Sequence, residues 1–515
     1  MITGAVIYAP QSRFSVVAPT SMLIDGGTIA WLGNDPDQHL ADADTVVDVA
    51  GALVMPGFVD AHIHATSSGI TLLGLDLSRT SSLAEALALI SQAAKDARGG
   101  VLLGHGWDET RWPEERAPTR IEIDRATWGS VVYLSRIDVH SAVVSSALLA
   151  AAPGIEKVLG FRGDGLLSRN AHHLAREVAL DSIGTGRREA AQRTTRSHAA
   201  ANGIVSLHEM AGPTISSAED LRALLALAAA EPGPLVTGYW GELASKGGIE
   251  RAKELGAIGA AGDLFIDGAI GSRTACLREH YADETDNDGA QYLSAADIED
   301  HVVRATEAGL QAGFHVIGDR ATDLVMAGMA AAARRCGEPA MRAAAHRLEH
   351  AEMLDDEHIA RMSRLGMIAS MQSMFDALWG SPGGMYEQRL GPKRAARMNR
   401  LADVCAAGIL LALGSDSPVT VMNPWLAVRA AMHHHQVAQR MSINAAIDSH
   451  TVAGWRAATI LGVGQLVVGA PAHLAIWDCL VADGKAPDLN SDEPRCLRTI
   501  VSGTTIFDSG VLAGK

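Results

Sequence analysis

The chain is poor in the residue types that mark several protein classes. Its five cysteines, Cys276, Cys336, Cys405, Cys479 and Cys496, are scattered, odd in number and never spaced as C-x-x-C. That argues against both a disulfide framework and a thiolate zinc site. Basic charge is in deficit as well: 43 Lys and Arg stand against 59 Asp and Glu, a formal net charge of −16. A nucleic-acid binder needs a basic face for phosphate contacts, so nucleic acid is not an expected partner. No apolar run approaches the ~18 residues a membrane helix requires. The opening MITGAVIYAP lacks the charged and long apolar regions of a signal peptide. A membrane is therefore not an expected partner, and a reducing cytoplasm is the expected compartment. Aromatic content, at 4%, points to no particular ring as ligand. The G-x-x-x-x-G-K-[ST] of a phosphate-cradling loop is missing, and no repeat occurs at solenoid spacing.

What is present is size and pattern. With 515 residues, 48% of them hydrophobic, the chain can bury a large core. Both ends are strand-like. AVIYAP, SMLIDGGTIAWLG and DTVVDVAGALVMPGF at the start, and QLVVGAPAHLAIWD and LRTIVSGTTIFDSG at the finish, alternate β-branched residues with turn signals. Between them, short apolar strands such as VVYLS, GIVSLHEM, DLFIDG and LLALGSD alternate with helical patterns such as SLAEALALISQAAKDA, AEDLRALLALAAA and DIEDHVVRATEAG. Strand followed by helix, many times over, predicts parallel α/β architecture, long enough for an eightfold barrel with insertions. The two β-rich ends, 1–55 and 465–515, are expected to pair into one small domain beside a body of 56–464. An insertion at about 67–170 is marked by GHGWDETRWPEERAPTR, rich in Pro, Trp and charge.

Within that body, PGFVDAHIHA (residues 56–65) sets two imidazoles two residues apart behind an apolar run. The spacing recurs in His433-His434-His435, so alone it is weak. In a strand, residues i and i+2 point to the same side. His62 and His64 then share a face with Asp60. At the C-terminal mouth of a barrel strand, two such imidazoles can bind one metal ion. Four further segments end an apolar strand in a ligand type. GFHVIGDRA offers His315, with Asp319 beyond it; AHRLEHAEM offers His350, with His346 in the same alternation phase; LLALGSDSPV offers Asp416; DLFIDGAIGSRTA offers Asp263, Asp267 and Arg273. A buried His is usually a hydrogen-bonded core residue, but five such positions in one α/β chain point to convergence. Neutral imidazoles with a carboxylate suit Zn²⁺ or another divalent transition metal.

PGFVDAHIH, HVIGDRA, HRLEHAEM and LGSDSPV, in this order, resemble the amidohydrolase superfamily, specifically amidohydrolase family 3. GWDETRWP with VVYLSRIDVHSAVVSSALL looks like that family's insertion after the first barrel strand. FIDGAIGSRTA is similar to its central motif, and GAPAHLAIWD to its return to the β-domain. The resemblance covers nearly the whole chain and implies a TIM-like (β/α)8 barrel with a β-sandwich formed from both chain ends. It also implies roles. His62 and His64 would be ligands of the more buried metal, and His315 and His350 of a second; in one-metal relatives His315 binds the single ion and His350 holds the water. Asp416 would bind metal and shuttle the proton. One position departs: many two-metal relatives carry a carboxylated Lys where this chain has Asp263. An Asp carboxylate reaches about 2.5 Å from its Cα, too short for such a bridge from the same backbone position. The site is then mononuclear, or Glu209 of GIVSLHEM supplies the bridge, or the backbone moves closer. One ion is the favoured count, two the alternative.

The expected activity is hydrolysis of a non-peptide C–N bond in a small-molecule amide or cyclic amide. Metal-activated water would attack, with Asp416 as the proton shuttle and His350 beside it. Two rivals stand: a one-metal deaminase of an amino-heterocycle, and a non-catalytic binding or regulatory protein on the same fold. Trp107 and His140 lie in the insertion and are expected either to touch substrate or to pack within it. Arg273 would pair with a substrate carboxylate or with Asp267. The His433–His435 triplet is expected on a solvated or interface face. Assembly is open, with a homodimer admitted.

Overall fold

In the computed structural model, which describes residues 1–8, 18–41, 43–97, 101–482, 486–489 and 492–512, eight strands form a central sheet. They are β1 (Phe58–Ile63), β2 (Ile204–Ala211), β3 (Leu235–Trp240), β4 (Gly259–Ala260), β5 (Gln311–Val316), β6 (Arg347–His350), β7 (Ile368–Met371) and β8 (Leu410–Leu413). Each pairs in parallel with the next. The ring shuts just past β8: Ile63 bridges Ser417 in parallel, the Asp416 N–H donates to the His62 carbonyl at 2.8 Å, and the His64 N–H donates to the Ser417 carbonyl at 3.0 Å. The fold is a TIM-like barrel.

Period-two patterning decides what faces the axis. Along β1, Val59 packs with Val205 and Trp455, and Ala61 packs with Ile368, Ala412 and Ala457, on the side of the surrounding helices. Asp60, His62 and His64 therefore face inward. Helices fill the gaps between strands as the apolar periodicity requires. Ala218–Ala230 begins where the Ser217 side chain accepts from the Asp220 N–H, and Ala295–Glu307 opens with a capping box from Ser294 and Asp297.

Both chain ends build the adjoining sandwich. One sheet holds Thr28–Gly33, Ser21–Asp25, Ile2–Thr3 and Val47–Asp48; the other holds Val6–Ile7, Leu53–Pro56, Leu474–Asp478, Arg495–Val501 and Thr504–Asp508. Ile2, Ile7, Met22, Ile29, Val54, Leu474, Ile476 and Leu497 share one core between them. The last two residues of AVIYAP lie outside the described residues. After β1, the insertion forms its own sheet from Leu75–Asp76, Leu102–Trp107, Val132–Arg136, Ser141–Val144 and Leu166–Ser168. Helix Arg169–Asp181 packs on it and leads back towards the barrel. Among the described residues, no helix is long and apolar enough to cross a membrane.

Two local expectations fail. DLFIDG is not a regular strand: β4 stops at Ala260, and only an isolated bridge joins Phe265 to His315. Gly262, at φ +96°, breaks the extended run. The His433–His435 triplet is not on a helix, and only His433 of the three is exposed. Helix Pro424–Met432 ends before it, His434 is buried with Nε2 against the Asn399 carbonyl at 3.0 Å, and His435 Nδ1 meets Asp376 at 3.0 Å.

Candidate metal centre

Six side chains meet at the C-terminal mouth of the barrel: His62 and His64 at the end of β1, Asp263 after β4, His315 on β5, His350 ending β6 and Asp416 after β8. All six are buried. Asp416 Oδ1 lies 3.4 Å from His62 Nε2 and 3.2 Å from His64 Nε2. Asp263 stands in the middle. Its Oδ2 is 3.1 Å from His64 Nε2, and its Oδ1 is 3.6 Å from His62 Nε2, 3.6 Å from His315 Nδ1 and 3.7 Å from His350 Nε2. The short reach expected of Asp263 is made up by its backbone. The break at Gly262 turns the chain inward where a longer strand would have held it on the barrel wall.

Alternation alone would not have brought His350 here. Leu348 on β6 and His346 just before it share its phase and face the helices; His346 Nδ1 accepts from the Ala312 N–H at 2.9 Å and its Nε2 meets Thr306 at 3.0 Å. Positive φ at His350 (68°) and Ala351 (48°) takes the imidazole out of that phase and into the mouth. Asp416 is likewise left-handed, at φ 53°. Two such non-glycine residues in one site are strain held in place by surrounding structure.

The outer ring nitrogens fix which nitrogen faces in. His62 Nδ1 donates to Glu349 Oε2 at 2.9 Å, His350 Nδ1 to Gln372 Oε1 at 2.9 Å, and His315 Nε2 to the Gly268 carbonyl at 3.2 Å. Each imidazole thereby presents an inner lone pair, the arrangement of metal-ligating histidines. Glu349 is held in turn by buried Arg347, whose guanidinium lies 4.6 Å over the Tyr239 ring. The inner atoms His62 Nε2, Asp263 Oδ1, His315 Nδ1 and His350 Nε2 are buried and have no hydrogen-bond partner. Buried polar atoms are rarely left so. Ligands around an ion at ~2.0–2.1 Å lie ~3.4 Å apart, close to the 3.4 and 3.2 Å that separate Asp416 Oδ1 from His62 Nε2 and His64 Nε2. The residues fit a divalent cation. Their donor atoms form two groups, His62–His64–Asp416 and His62–Asp263–His350.

Burial alone would lower the His64 and His350 imidazoles, but the nearby carboxylates of Asp263 and Asp416 outweigh it and raise them to about 10 and about 9. Burial also opposes ionisation of Asp263 and Asp416, yet the imidazoles around them, His62 foremost, hold both below the usual carboxylate range. The cluster has the charge pattern of a cation site.

Other expected residues fall in different places. His140 reaches the mouth, its ring 5.0 Å from His315 and 5.7 Å from Phe265. Trp107 does not: it is buried in the insertion core near Trp112, its Nε1–H donating to the Leu134 carbonyl at 2.8 Å. Glu209 joins neither donor group; its Oε2 accepts from the Ala65 N–H at 2.7 Å, and burial raises the acid to about 7. Arg273 pairs with Asp283 at 2.8 Å, not with Asp267, whose carboxylate accepts three backbone N–H groups from Cys276, Ile317 and Gly318. Asp319 receives the Arg278 N–H away from the mouth, and Asp60 ties β1 to Ser415 through both carboxylate oxygens. Sequence reading passed over Glu349, Gln372, Arg347 and the lining residue Phe375. Glu349 had a signal, an acid directly before His350 in HRLEH; Gln372 had none.

A barrel with a His/Asp centre at its C-terminal mouth and a sandwich of both chain ends is the architecture of metal-dependent hydrolases. A structure titled an uncharacterized metal-dependent hydrolase from Pyrococcus furiosus superposes with a TM-score of 0.73 at 25% identity, covering 94% of this chain and 99% of that one. A sequence profile of the amidohydrolase family matches residues 45–507, and the chain belongs to that family. Among its relatives, Protein LONG AFTER FAR-RED 3 of Arabidopsis thaliana is 27% identical over 98% of this chain and 91% of the relative. N-substituted formamide deformylase of Arthrobacter pascens is 26% identical over 99% of this chain and 98% of the relative.

Proposed function

We propose that the chain hydrolyses a non-peptide C–N bond, an amide or cyclic amide, at this centre. The observation that carries the reading is the set of four unpartnered buried donor atoms, His62 Nε2, Asp263 Oδ1, His315 Nδ1 and His350 Nε2, aimed at one volume beside Asp416. A divalent cation, Zn²⁺ in this reading, lowers the pKa of a bound water towards ~7 and polarises a carbonyl oxygen. His62, His64 and Asp416 Oδ1 would hold one ion, His315 and His350 a second, with Asp263 between them. Asp263 lies within 3.7 Å of all four imidazoles, a position that serves one ion, the favoured count, or two.

Asp416 Oδ2, 3.9 Å from His350 Nδ1, accepts the proton of the attacking water and returns it to the departing amine nitrogen. His350, held by Gln372 through Nδ1, keeps its Nε2 turned into the cluster beside Asp263. Ile317, Phe375, Trp379, Met385 and Val419 form an apolar side beside His350 and Asp416, against which the organic part of the substrate would rest. The full-length similarity to a formamide deformylase supports an amide over an amino-heterocycle.

A screen of N-formyl, N-acyl and cyclic amides against metal-loaded protein, read by amine release, tests the reading. Turnover that Asp416→Asn cuts by ~10³-fold or more, in a variant that stays folded and metal-loaded, is the expected result. Ammonia release from amino-heterocycles without amide turnover would replace it with deamination. Metal content below half an equivalent, with no rescue by Zn²⁺, would end it.

A further inference from the structure

Five arginines are buried among the described residues: Arg136, Arg176, Arg196, Arg347 and Arg389. Three are paired with carboxylates, and Arg196, whose Nε has no partner, is held by backbone carbonyls alone. Arg136 meets Asp108, Glu109 and Asp138; Arg347 meets Glu349; Arg389 meets Asp283 and Glu109; Arg196 donates to three backbone carbonyls. Arg176 differs. It is 7% exposed, no carboxylate among the described residues lies within 4.0 Å of it, and its one hydrogen bond is a 3.3 Å contact to Ser67 Oγ. Leaving a buried cation without a counter-charge is costly. Structures keep such a group where a ligand completes it.

Its position supplies the ligand. Arg176 projects from the insertion helix Arg169–Asp181, which roofs the barrel mouth, and lines the same chamber as His64, Asp263, His315, His350 and Asp416. The acids of that chamber belong to the cation site, and the neighbouring groups on the roof bring no negative charge. His173, on the same helix, is held neutral, at about 4, by burial and by the Arg176 charge. Its ring and that of His140 lie against Phe265. With cations in place below and Arg176 above, the chamber is positive on two sides.

We propose that Arg176 binds a carboxylate carried by the substrate, so that the enzyme selects amides bearing an acid group near the scissile bond. This rests on the amide-hydrolase reading of the same site and adds the substrate class. The planar fork of a guanidinium suits a carboxylate in two-point contact. It takes over the role that sequence reading gave Arg273, a cation already neutralised by Asp283.

The test uses two probes that differ only by the carboxylate, N-formylphenylalanine and N-formylphenethylamine. Binding to metal-loaded wild type, Arg176→Met and Arg176→Lys is measured by titration calorimetry, and amine release is followed in parallel. Wild type is expected to bind the acid at least tenfold more tightly than its neutral twin. Arg176→Met should abolish the preference, Arg176→Lys should keep part of it, and the change in turnover should fall on KM more than kcat. The Met variant should melt no lower than wild type, because it removes an unpaired buried charge. No preference in wild type, a preference that survives in Arg176→Met, or a lowered melting temperature in that variant overturns the proposal. Preferential binding of the acid without amine release would leave Arg176 as a carboxylate site and count against the amide-hydrolase reading instead.

Discussion

At the scale of single residues, the centre depends on a buried relay behind it. Arg347 holds Glu349, Glu349 holds His62 Nδ1, and His62 turns Nε2 inward. Removing one member leaves another charged and unpaired, and such changes behind metal ligands typically cost 10–100-fold in metal affinity. Glu349→Gln is therefore expected to weaken Zn²⁺ binding roughly 10–100-fold, measured by competition with a chromophoric chelator; unchanged affinity would show that His62 is oriented without it. The relay also has an acid signature. Burial pushes the Glu349 carboxyl up, but Arg347 and His62 bring it down to about 2, against about 4.3 in an unfolded chain. A depressed folded pKa contributes stability that is complete above about 4.3 and lost as pH falls towards 2. In metal-stripped protein, the stability gap between wild type and Glu349→Gln, read from denaturant midpoints, should shrink as pH falls from about 5 to 2.5. His62, His64, His315 and Asp416 were legible because each ends an apolar strand, a pattern set by local sequence. Gln372 and Arg176 were not, since their contacts lie 20 or more residues away, and Arg347, two residues from Glu349, carries no local mark of burial.

At the scale of elements, the site is made where strands stop. β1 and β5 deliver their ligands as period-two patterning predicts, but Asp416 enters through a left-handed residue past the end of β8, β4 contributes only two residues, and Asp263 enters through the turn at Gly262. A Cβ at Gly262 would lie 3.0 Å from Met210 Sδ, on a backbone at φ +96° that side-chain-bearing residues rarely adopt. Gly262→Ala is expected to cost about 1–3 kcal/mol and to shift Asp263 away from the imidazoles. The melting temperature should fall and the metal bound per chain should drop with it; a variant that melts lower but binds metal normally would separate the turn from the site. Helices were the most legible elements. Ala218–Ala230 follows AEDLRALLALAAA residue for residue, because a capped, Ala/Leu-rich run has one local solution. DLFIDG reads as a strand on composition, and no local rule says that tertiary packing will bend it. The left-handed turn that swings His350 inward is equally silent in HRLEHAEM.

At the scale of the whole molecule, the insertion roofs a barrel whose mouth concentrates two carboxylates and four imidazoles, and the state of that mouth is coupled to proton uptake. Without a cation, Asp263 and Asp416 draw protons onto His64 and His350, raising them to about 10 and about 9. Both folded values lie above the unfolded value of about 6.5. The stability they give the metal-free protein is therefore complete below about 6.5 and lost as pH rises through 9 to 10. A divalent cation needs the same nitrogens unprotonated, so binding and protonation compete. Zn²⁺ uptake near pH 7.5 should release roughly one to two protons per chain, measured by calorimetric titration in buffers of different ionisation enthalpy. Chelation at that pH should lower the melting temperature, since a ligand at ~1,000 times its Kd stabilises by about 4 kcal/mol. The deficit should widen as pH rises towards 10, because the stripped protein then loses the protons that had stood in for the cation. Uptake without proton release, or a deficit that narrows on the alkaline side, would mean that these imidazoles are neutral in the empty mouth and that the two carboxylates are balanced elsewhere.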